Sequence, residues 1–166
     1  CSLRYFNPVG AHPSGLIGED PIGIPNNLFP FLTQVAIGKH KFLNVYGDDW
    51  ETKDGSGIRD YVHIIDLAEG HLASIDYLKT RDSCLEFINL GSGNGYSVFQ
   101  IIRQFELSTG CHIPFSIKSR RDGDVAKCYA DISKAKEIFG WTPKRSLEQI
   151  CLDGWRWQRN NPNGYA

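Results

Sequence analysis

The fold is decided by one stretch near the middle of the chain, Asp54-Gly55-Ser56-Gly57-Ile58-Arg59-Asp60-Tyr61-Val62-His63-Ile64-Ile65-Asp66-Leu67. Its two glycines allow positive φ and predict a tight turn. The β-branched and aromatic residues from 61 to 65 predict a short buried strand. Asp66 predicts a helix start, because an acidic side chain is favourable at the positive end of a helix dipole. Arg59, between turn and strand, is well placed to hold a phosphate or carboxylate; taken alone it could equally be a surface arginine on a hairpin.

Composition limits the class of protein. The chain has 166 residues and 41% hydrophobic residues, enough for one globular domain with a sizeable core. Its 18 Lys and Arg nearly balance 19 Asp and Glu, so we expect no nucleic-acid partner. No apolar run reaches the roughly 18 residues of a membrane helix, so no membrane partner is expected. The five cysteines and five histidines are scattered, which argues against a disulfide framework and a metal site and favours a cytoplasmic protein.

The pattern of elements predicts an α/β fold. We expect strands at 2–7, 42–47, 61–65, 85–90 and 113–118, a loop over 7–25, and helices at about 27–38, 66–79, from 97, at 132–139 and from 146. Ser97 with Gln100, and Ser146 with Gln149, have the spacing of capping boxes. This alternation favours mainly parallel pairing, with ligands beyond the carboxyl ends of the strands. Because the chain opens at Cys1 directly into an apolar strand, we expect part of the sheet to be supplied from upstream.

Two loops are candidate ligand-binding sites. Gly91, Gly93 and Gly95 lie between a strand and a helix, but their Gly-x-Gly-x-Gly spacing differs from a dinucleotide fingerprint and favours a simple tight turn. The loop 119–124 holds paired arginines and two acids. It is either a solvated turn or a site in which guanidinium groups hold a phosphate and a carboxylate holds a sugar diol.

Several segments together resemble the carboxyl-terminal half of the UDP-glucose 4-epimerases, a family of extended short-chain dehydrogenases/reductases. They are residues 3–11 (LRYFNPVGA), 18–21 (GEDP), 23–28 (GIPNNL), 54–67, 96–98 (YSV), 120–124 (RRDGD) and 155–158 (WRWQ). The resemblance extends over essentially the whole chain. It implies the edge of a Rossmann sheet plus a small α/β substrate-binding domain. Residues 1–166 would form the UDP-sugar-binding region, with about 1–8 and 66–90 completing an NAD-binding Rossmann domain in the missing amino-terminal half.

The resemblance also implies residue roles. Tyr5, Phe6 and Pro8 would border the nicotinamide end of NAD, which the missing half would mainly bind. The residues implied in UDP-sugar binding are Asn7 for the sugar or its phosphate, Asn27 and Leu28 for a phosphate, Asn44, Val45 and Tyr46 for uracil, Arg59 and Arg121 for the diphosphate, Tyr61 for support of the pocket, and Asp124 for the ribose hydroxyls.

The implied activity is NAD-dependent 4-epimerisation of UDP-glucose and UDP-galactose, in which hydride leaves hexose C4 and returns through a 4-keto intermediate. The family's catalytic Tyr-x-x-x-Lys pair is absent from this sequence, so we expect no catalytic residue here and an inactive isolated chain. For the full-length protein we expect a homodimer. Two alternatives are a related nucleotide-sugar dehydratase or decarboxylase, and a non-catalytic nucleotide-sugar-binding module.

Cys128 is the expected determinant of substrate range. Some epimerases of this family carry tyrosine at the matching position, and the smaller cysteine would leave room for an N-acetyl group on the hexose. We therefore expect UDP-N-acetylhexosamines to be accepted. The alternative is that Cys128 is an ordinary small core residue.

Overall fold

A computed structural model describes residues 1–165, which form eight strands and five helices. In chain order these are β1 (Ser2–Tyr5), β2 (Asn7–Val9), α1 (Leu28–Ala36), β3 (Leu43–Tyr46), β4 (Ile58–His63), α2 (Ile64–Lys79), β5 (Phe87–Leu90), β6 (Gly95–Ser97), α3 (Val98–Thr109), β7 (Phe115–Lys118), β8 (Lys127–Cys128), α4 (Ser133–Phe139) and α5 (Leu147–Asn160). None of these helices is both long and apolar enough to cross a membrane.

The strands form three small sheets, in which parallel pairing predominates. β1 pairs with β5, and β3 pairs with β7, both in parallel. β4 is the centre of the third sheet, parallel to β2 and β8 and antiparallel to β6. The predicted α/β class with mainly parallel strands is therefore confirmed.

Two stretches predicted as loop or turn are short strands. Asn7–Val9 forms β2 because it pairs with residues 61–63 of β4, and Pro8 is tolerated because β2 has only this one partner within residues 1–165. Gly95–Ser97 forms β6 because it pairs with residues 58–60. In both cases the pairing is long-range and invisible to local propensity.

Helix ends also differ from the predictions in detail. α2 begins at Ile64 instead of Asp66, because the His63 side chain caps it by accepting a hydrogen bond from the Ile65 N–H at 3.0 Å. The capping box at Ser97 and Gln100 is confirmed. At α5 Ser146 caps the helix, but the Gln149 side chain donates instead to Asp153 Oδ2 at 2.8 Å.

Two hydrophobic clusters stabilise the chain. The larger joins α1, α3 and α5 to β3 and β4 and includes Leu32, Val45, Phe105 and Ile150, all at most 2% exposed. The smaller packs α2 and α4 against β5 and is centred on Leu90 and Trp141.

The long loop between β2 and α1 is fastened to the last helix and the residues after it. Arg156 Nη1 donates to Pro13 O, Asn161 Nδ2 to Gly15 O, and Trp157 Nε1 to Glu19 O, at 2.6–3.1 Å. Gly18 lies against Trp157, where a Cβ would come within 2.2 Å of the indole. These contacts fix residues 13–19 of the loop against α5 and the residue that follows it.

Candidate functional site

A cavity of about 590 Å³ opens where the ends of β1 and β3, the start of α1 and the loop after β7 meet. This volume lies within the roughly 300–1,000 Å³ of small-molecule sites. We call it the sheet-end cavity. Every residue implied in UDP-sugar or NAD binding lines it except Val45 and Cys128; the lining members are Tyr5, Phe6, Asn7, Pro8, Asn27, Leu28, Asn44, Tyr46, Arg59, Tyr61, Arg121 and Asp124.

Two arginines and one carboxylate form the charged wall of the cavity. Asp124 lies between Arg59 Nη2, at 3.5 Å, and Arg121 Nε, at 3.0 Å. Arg59 Nη1 donates to the main-chain oxygens of Ile58 and Val125 at 2.9 and 2.8 Å. We call Arg59, Arg121 and Asp124 the arginine cluster. Its two cations and one anion leave a net positive charge, which favours an anionic ligand.

Tyr61 lies beside the arginine cluster and is 4% exposed. Burial raises the pKa of its phenol, and the positive charges of Arg59 and Arg121 only partly oppose this effect. The hydroxyl therefore stays protonated and can donate a hydrogen bond.

Asn7 is oriented by the neighbouring strand. Its Nδ2 donates to the main-chain oxygen of Asp60 at 2.8 Å, which fixes the amide plane at the cavity wall. The Oδ1 atom and the second N–H of the amide remain available for a ligand.

The start of α1 contributes main-chain donors. Asn27 is the N-cap residue, but its side chain makes no capping hydrogen bond. The first N–H groups of an α-helix have no partner within the helix, and such groups bind anions readily. Asn27 and Leu28 both line the cavity.

β3 contributes Leu43, Asn44 and Tyr46 to the cavity lining, and one edge of its main chain is turned away from β7. Leu43 N donates to Pro114 O and Gly47 N donates to Lys118 O, so the odd-numbered residues of this strand bond to β7. Because successive residues alternate, the N–H and C=O groups of Asn44 and Tyr46 point to the opposite edge. The Val45 side chain points into the core and is 1% exposed, so any contribution of Val45 to this edge is structural.

Cys128 lies beside Arg59 in the sheet, with the two Cα positions in register, but it is exposed and does not line the sheet-end cavity. Its role as a gate for the hexose stays a prediction.

Trp50 also lines the cavity and was not predicted as a site residue. It lies in a turn-rich segment that looks like an ordinary connection in the sequence, and its contact with Arg120 joins residues far apart in the chain. Among residues 1–165, no group of three or more His, Cys, Asp or Glu side chains is arranged to hold a metal ion.

The chain is similar to known proteins in sequence and in fold. A family model described as GDP-mannose 4,6 dehydratase matches residues 1–153. UDP-glucose 4-epimerases from Mus musculus and Yersinia enterocolitica are 55% and 59% identical to 99% of the chain. Among solved structures, a UDP-glucose 4-epimerase from Bifidobacterium longum in complex with NAD⁺ and UDP covers 98% of the chain at 51% identity with a TM-score of 0.93.

These matches cover only part of each relative. The chain spans 47–48% of the two curated relatives and 48% of the Bifidobacterium longum chain, about half of their length. Because the family model covers most of the chain, and the solved relatives have the same fold, the chain belongs to the GDP-mannose 4,6 dehydratase family of extended short-chain dehydrogenases/reductases.

Proposed function

We propose that this chain is the UDP-sugar-binding half of an NAD-dependent UDP-glucose/UDP-galactose 4-epimerase. The observation that carries the proposal is the arginine cluster in a cavity that also holds a helix start and a free strand edge. A nucleotide sugar has a diphosphate, a base and a hexose, and the cavity offers a chemically suitable wall for each.

The arginine cluster and the start of α1 would bind the diphosphate. Guanidinium groups form short, charge-assisted hydrogen bonds with phosphate oxygens, and the helix start adds main-chain N–H donors. Tyr61 adds a protonated hydroxyl. Asp124 keeps acceptor capacity beyond its two arginine contacts, since a carboxylate accepts about four hydrogen bonds, and it would bind the ribose hydroxyls.

Uracil would bind along the edge of β3 that is not paired with β7. Along this edge the Asn44 N–H, the Asn44 C=O and the Tyr46 N–H offer a donor, an acceptor and a donor. The O2, N3–H and O4 groups of uracil form the complementary series. The Tyr46 ring adds an aromatic surface, with the Arg121 guanidinium 4.7 Å from its centroid.

The hexose would extend toward Asn7 and the nicotinamide end of NAD. Tyr5, Phe6 and Pro8 line that end of the cavity and suit a flat aromatic group, whereas the sequence contains no glycine loop for the NAD pyrophosphate. Bound NAD would accept hydride from hexose C4 and return it. The residues of this chain would hold the UDP half in place while the 4-keto sugar rotates, so that hydride returns to its other face. Binding energy from contacts remote from C4 would in this way serve the reaction.

The remainder of the proposal concerns the whole protein. Residues of about 1–8 and 66–90 would complete the NAD-binding domain; the parallel β1–β5 pair beside α2 supports this division. We propose a cytoplasmic homodimer, and the free thiols of all five cysteines are compatible with a reducing compartment. The proposed substrate range includes UDP-N-acetylhexosamines.

The decisive experiment compares the full-length protein with residues 1–166 alone. With NAD and UDP-galactose, the full-length protein should form UDP-glucose, and the isolated chain should not, because it lacks the Tyr-x-x-x-Lys pair. Product analysis by chromatography separates epimerisation from dehydration or decarboxylation. UDP binding without any turnover by the full-length protein would instead support a non-catalytic binding module.

A further inference from the structure

Two consecutive arginines after β7 make different contacts. Arg121 belongs to the arginine cluster, whereas Arg120 turns to the loop after β3. Its guanidinium lies 4.1 Å from the centroid of the Trp50 ring, and its Nε donates to Asp49 Oδ1 at 2.7 Å. Arg120 Nη2 also donates to the main-chain oxygen of Asp49. The hydrogen bond from Arg120 holds the pKa of Asp49 below its usual value.

Trp50 is in turn fixed to the base end of the cavity. Its Nε1 donates to the main-chain oxygen of Tyr46 at 3.1 Å, so the indole covers the carbonyl that follows the uracil-complementary groups of β3. Gly47 lies beneath this contact with φ +84°, and a Cβ there would come within 2.6 Å of Trp50 Nε1 and 2.9 Å of Arg120 Cγ. The close approach of the two loops therefore requires glycine at position 47.

The turn that precedes β4 also contacts the loop that carries Trp50. Trp50 N donates to Gly55 O at 2.9 Å, and Thr52 Oγ1 donates to Ser56 O at 2.8 Å. Gly55 has φ +79°, and a Cβ there would lie 1.9 Å from Asp48 O. Trp50 is thus held from both sides while its ring contributes to the cavity wall.

We propose that Trp50 is a further nucleotide-binding residue, which contacts the uridine part of the ligand, and that Arg120 is a positioning residue that holds the indole there. This inference rests on the proposed function, because it assigns the base end of the same cavity. The two neighbouring arginines then have separate roles, since Arg121 binds the phosphates and Arg120 acts on the base through Trp50.

The experiment measures dissociation constants of UDP, uridine and pyrophosphate for the full-length protein by isothermal titration calorimetry. Trp50→Ala should weaken UDP and uridine by about tenfold, the scale of one base–aromatic stack, and leave pyrophosphate unchanged. Arg120→Ala should weaken UDP and uridine by about two- to fivefold, the scale of an exposed cation–π contact, again without an effect on pyrophosphate. Arg121→Ala is the matched control and should weaken pyrophosphate and UDP.

Trp50→Phe tests whether an aromatic ring is what matters. It keeps a ring in the cavity wall but removes the N–H that bonds to Tyr46, so it should restore most of the uridine affinity lost in Trp50→Ala. Thermal melting of each variant shows whether it folds, and a loss of uridine affinity with intact pyrophosphate affinity cannot come from general unfolding.

Three results would overturn the inference: unchanged UDP affinity in Trp50→Ala, equal loss of uridine and pyrophosphate affinity in Arg120→Ala, or no recovery in Trp50→Phe. The first two would show, respectively, that the indole is only structural and that Arg120 is itself a phosphate ligand. Failure of the wild-type protein to bind UDP is a separate outcome that removes the proposed function as well.

Discussion

At the scale of single residues, the arginine cluster is held in place by contacts within the chain. Arg59 is held by two main-chain oxygens, and Asp124 lies within 3.5 Å of both guanidinium groups. The side chains of Arg59 and Asp124 are about a quarter exposed and that of Arg121 is about half exposed, so the cluster is open to solvent. Exposed ion pairs stabilise a fold only slightly, which favours a binding function for these charges.

The arginine cluster can be tested by truncation in the full-length protein. Arg59→Ala and Arg121→Ala should each weaken UDP and UDP-sugar binding by about 1.5–3 kcal/mol, the contribution of a charge-assisted hydrogen bond. Arg103→Ala on α3, an exposed arginine outside the cavity, is the control and should bind as the wild type does. Unchanged UDP affinity in both cluster variants would refute the phosphate assignment.

Cys128 is predicted to determine which nucleotide sugars the full-length protein accepts. The full-length enzyme should convert UDP-N-acetylgalactosamine as well as UDP-galactose, and Cys128→Tyr should abolish only the first activity, since a bulky side chain excludes the larger sugar. Cys128→Ser, which keeps the small size, should retain both. Parallel loss of both activities in Cys128→Tyr, or a wild type inactive toward the acetylated sugar, would show that Cys128 is not the gate.

At the scale of elements, one histidine joins the central strand, a helix and the last helix of the chain. His63 ends β4 and caps α2 through Nδ1, while its Nε2 lies 3.3 Å from Asp153 Oδ2 on α5. Nδ1 accepts a hydrogen bond, so the ring is neutral with its proton on Nε2. Burial lowers the pKa of His63, against the opposing effect of the hydrogen bond to Asp153.

This arrangement predicts a pH dependence of stability. The pKa of His63 is lower in the folded protein than the usual 6.5, so near and below that pH the unfolded chain binds more protons than the folded one. The free energy of unfolding should therefore fall as pH drops from 7.5 through 6.5. His63→Asn can still cap a helix but does not titrate, so its loss of stability on acidification should be smaller. Urea unfolding of the full-length protein at several pH values measures both slopes, and identical slopes would contradict the prediction.

At the scale of the whole molecule, α2 and the β1–β5 sheet carry exposed apolar side chains. Leu72 and Ile75, three residues apart on one face of α2, are 62% and 49% exposed, and Tyr5 on β1 and Phe87 on β5 are 57% and 50% exposed. Within residues 1–165 the β1–β5 sheet has only two strands, so each strand keeps an unpaired edge. Apolar surface beside open strand edges favours association with other protein surface.

The isolated 166-residue chain should therefore self-associate or bind a dye that reports apolar surface. Replacement of Ile75 by Glu on α2 should reduce both effects, because it places a charge within the apolar face. Sedimentation velocity and dye fluorescence measure the outcome, and Lys136→Glu, on the exposed side of α4, is a suitable charge-change control. A monodisperse monomer without dye binding would contradict the expectation.

Much of this protein was determined by local sequence alone. Glycines at positions 55 and 57, the β-branched residues of β4 and the capping box at Ser97 predicted a turn, a strand and a helix in their observed order, because each depends on interactions within a few residues. The candidate site residues were found by resemblance of short segments, and all but Val45 and Cys128 line one cavity.

Only the tertiary structure decided the rest. β2 and β6 exist because β4 lies between them, the His63 ring that caps α2 also contacts Asp153 on α5, and Arg120, from a loop distant in the sequence, stacks on the ring of Trp50 at the cavity. Most of these contacts join residues that the chain brings together only on folding. Local propensity carries no information about such pairs, whereas packing and hydrogen bonding in the folded chain determine them.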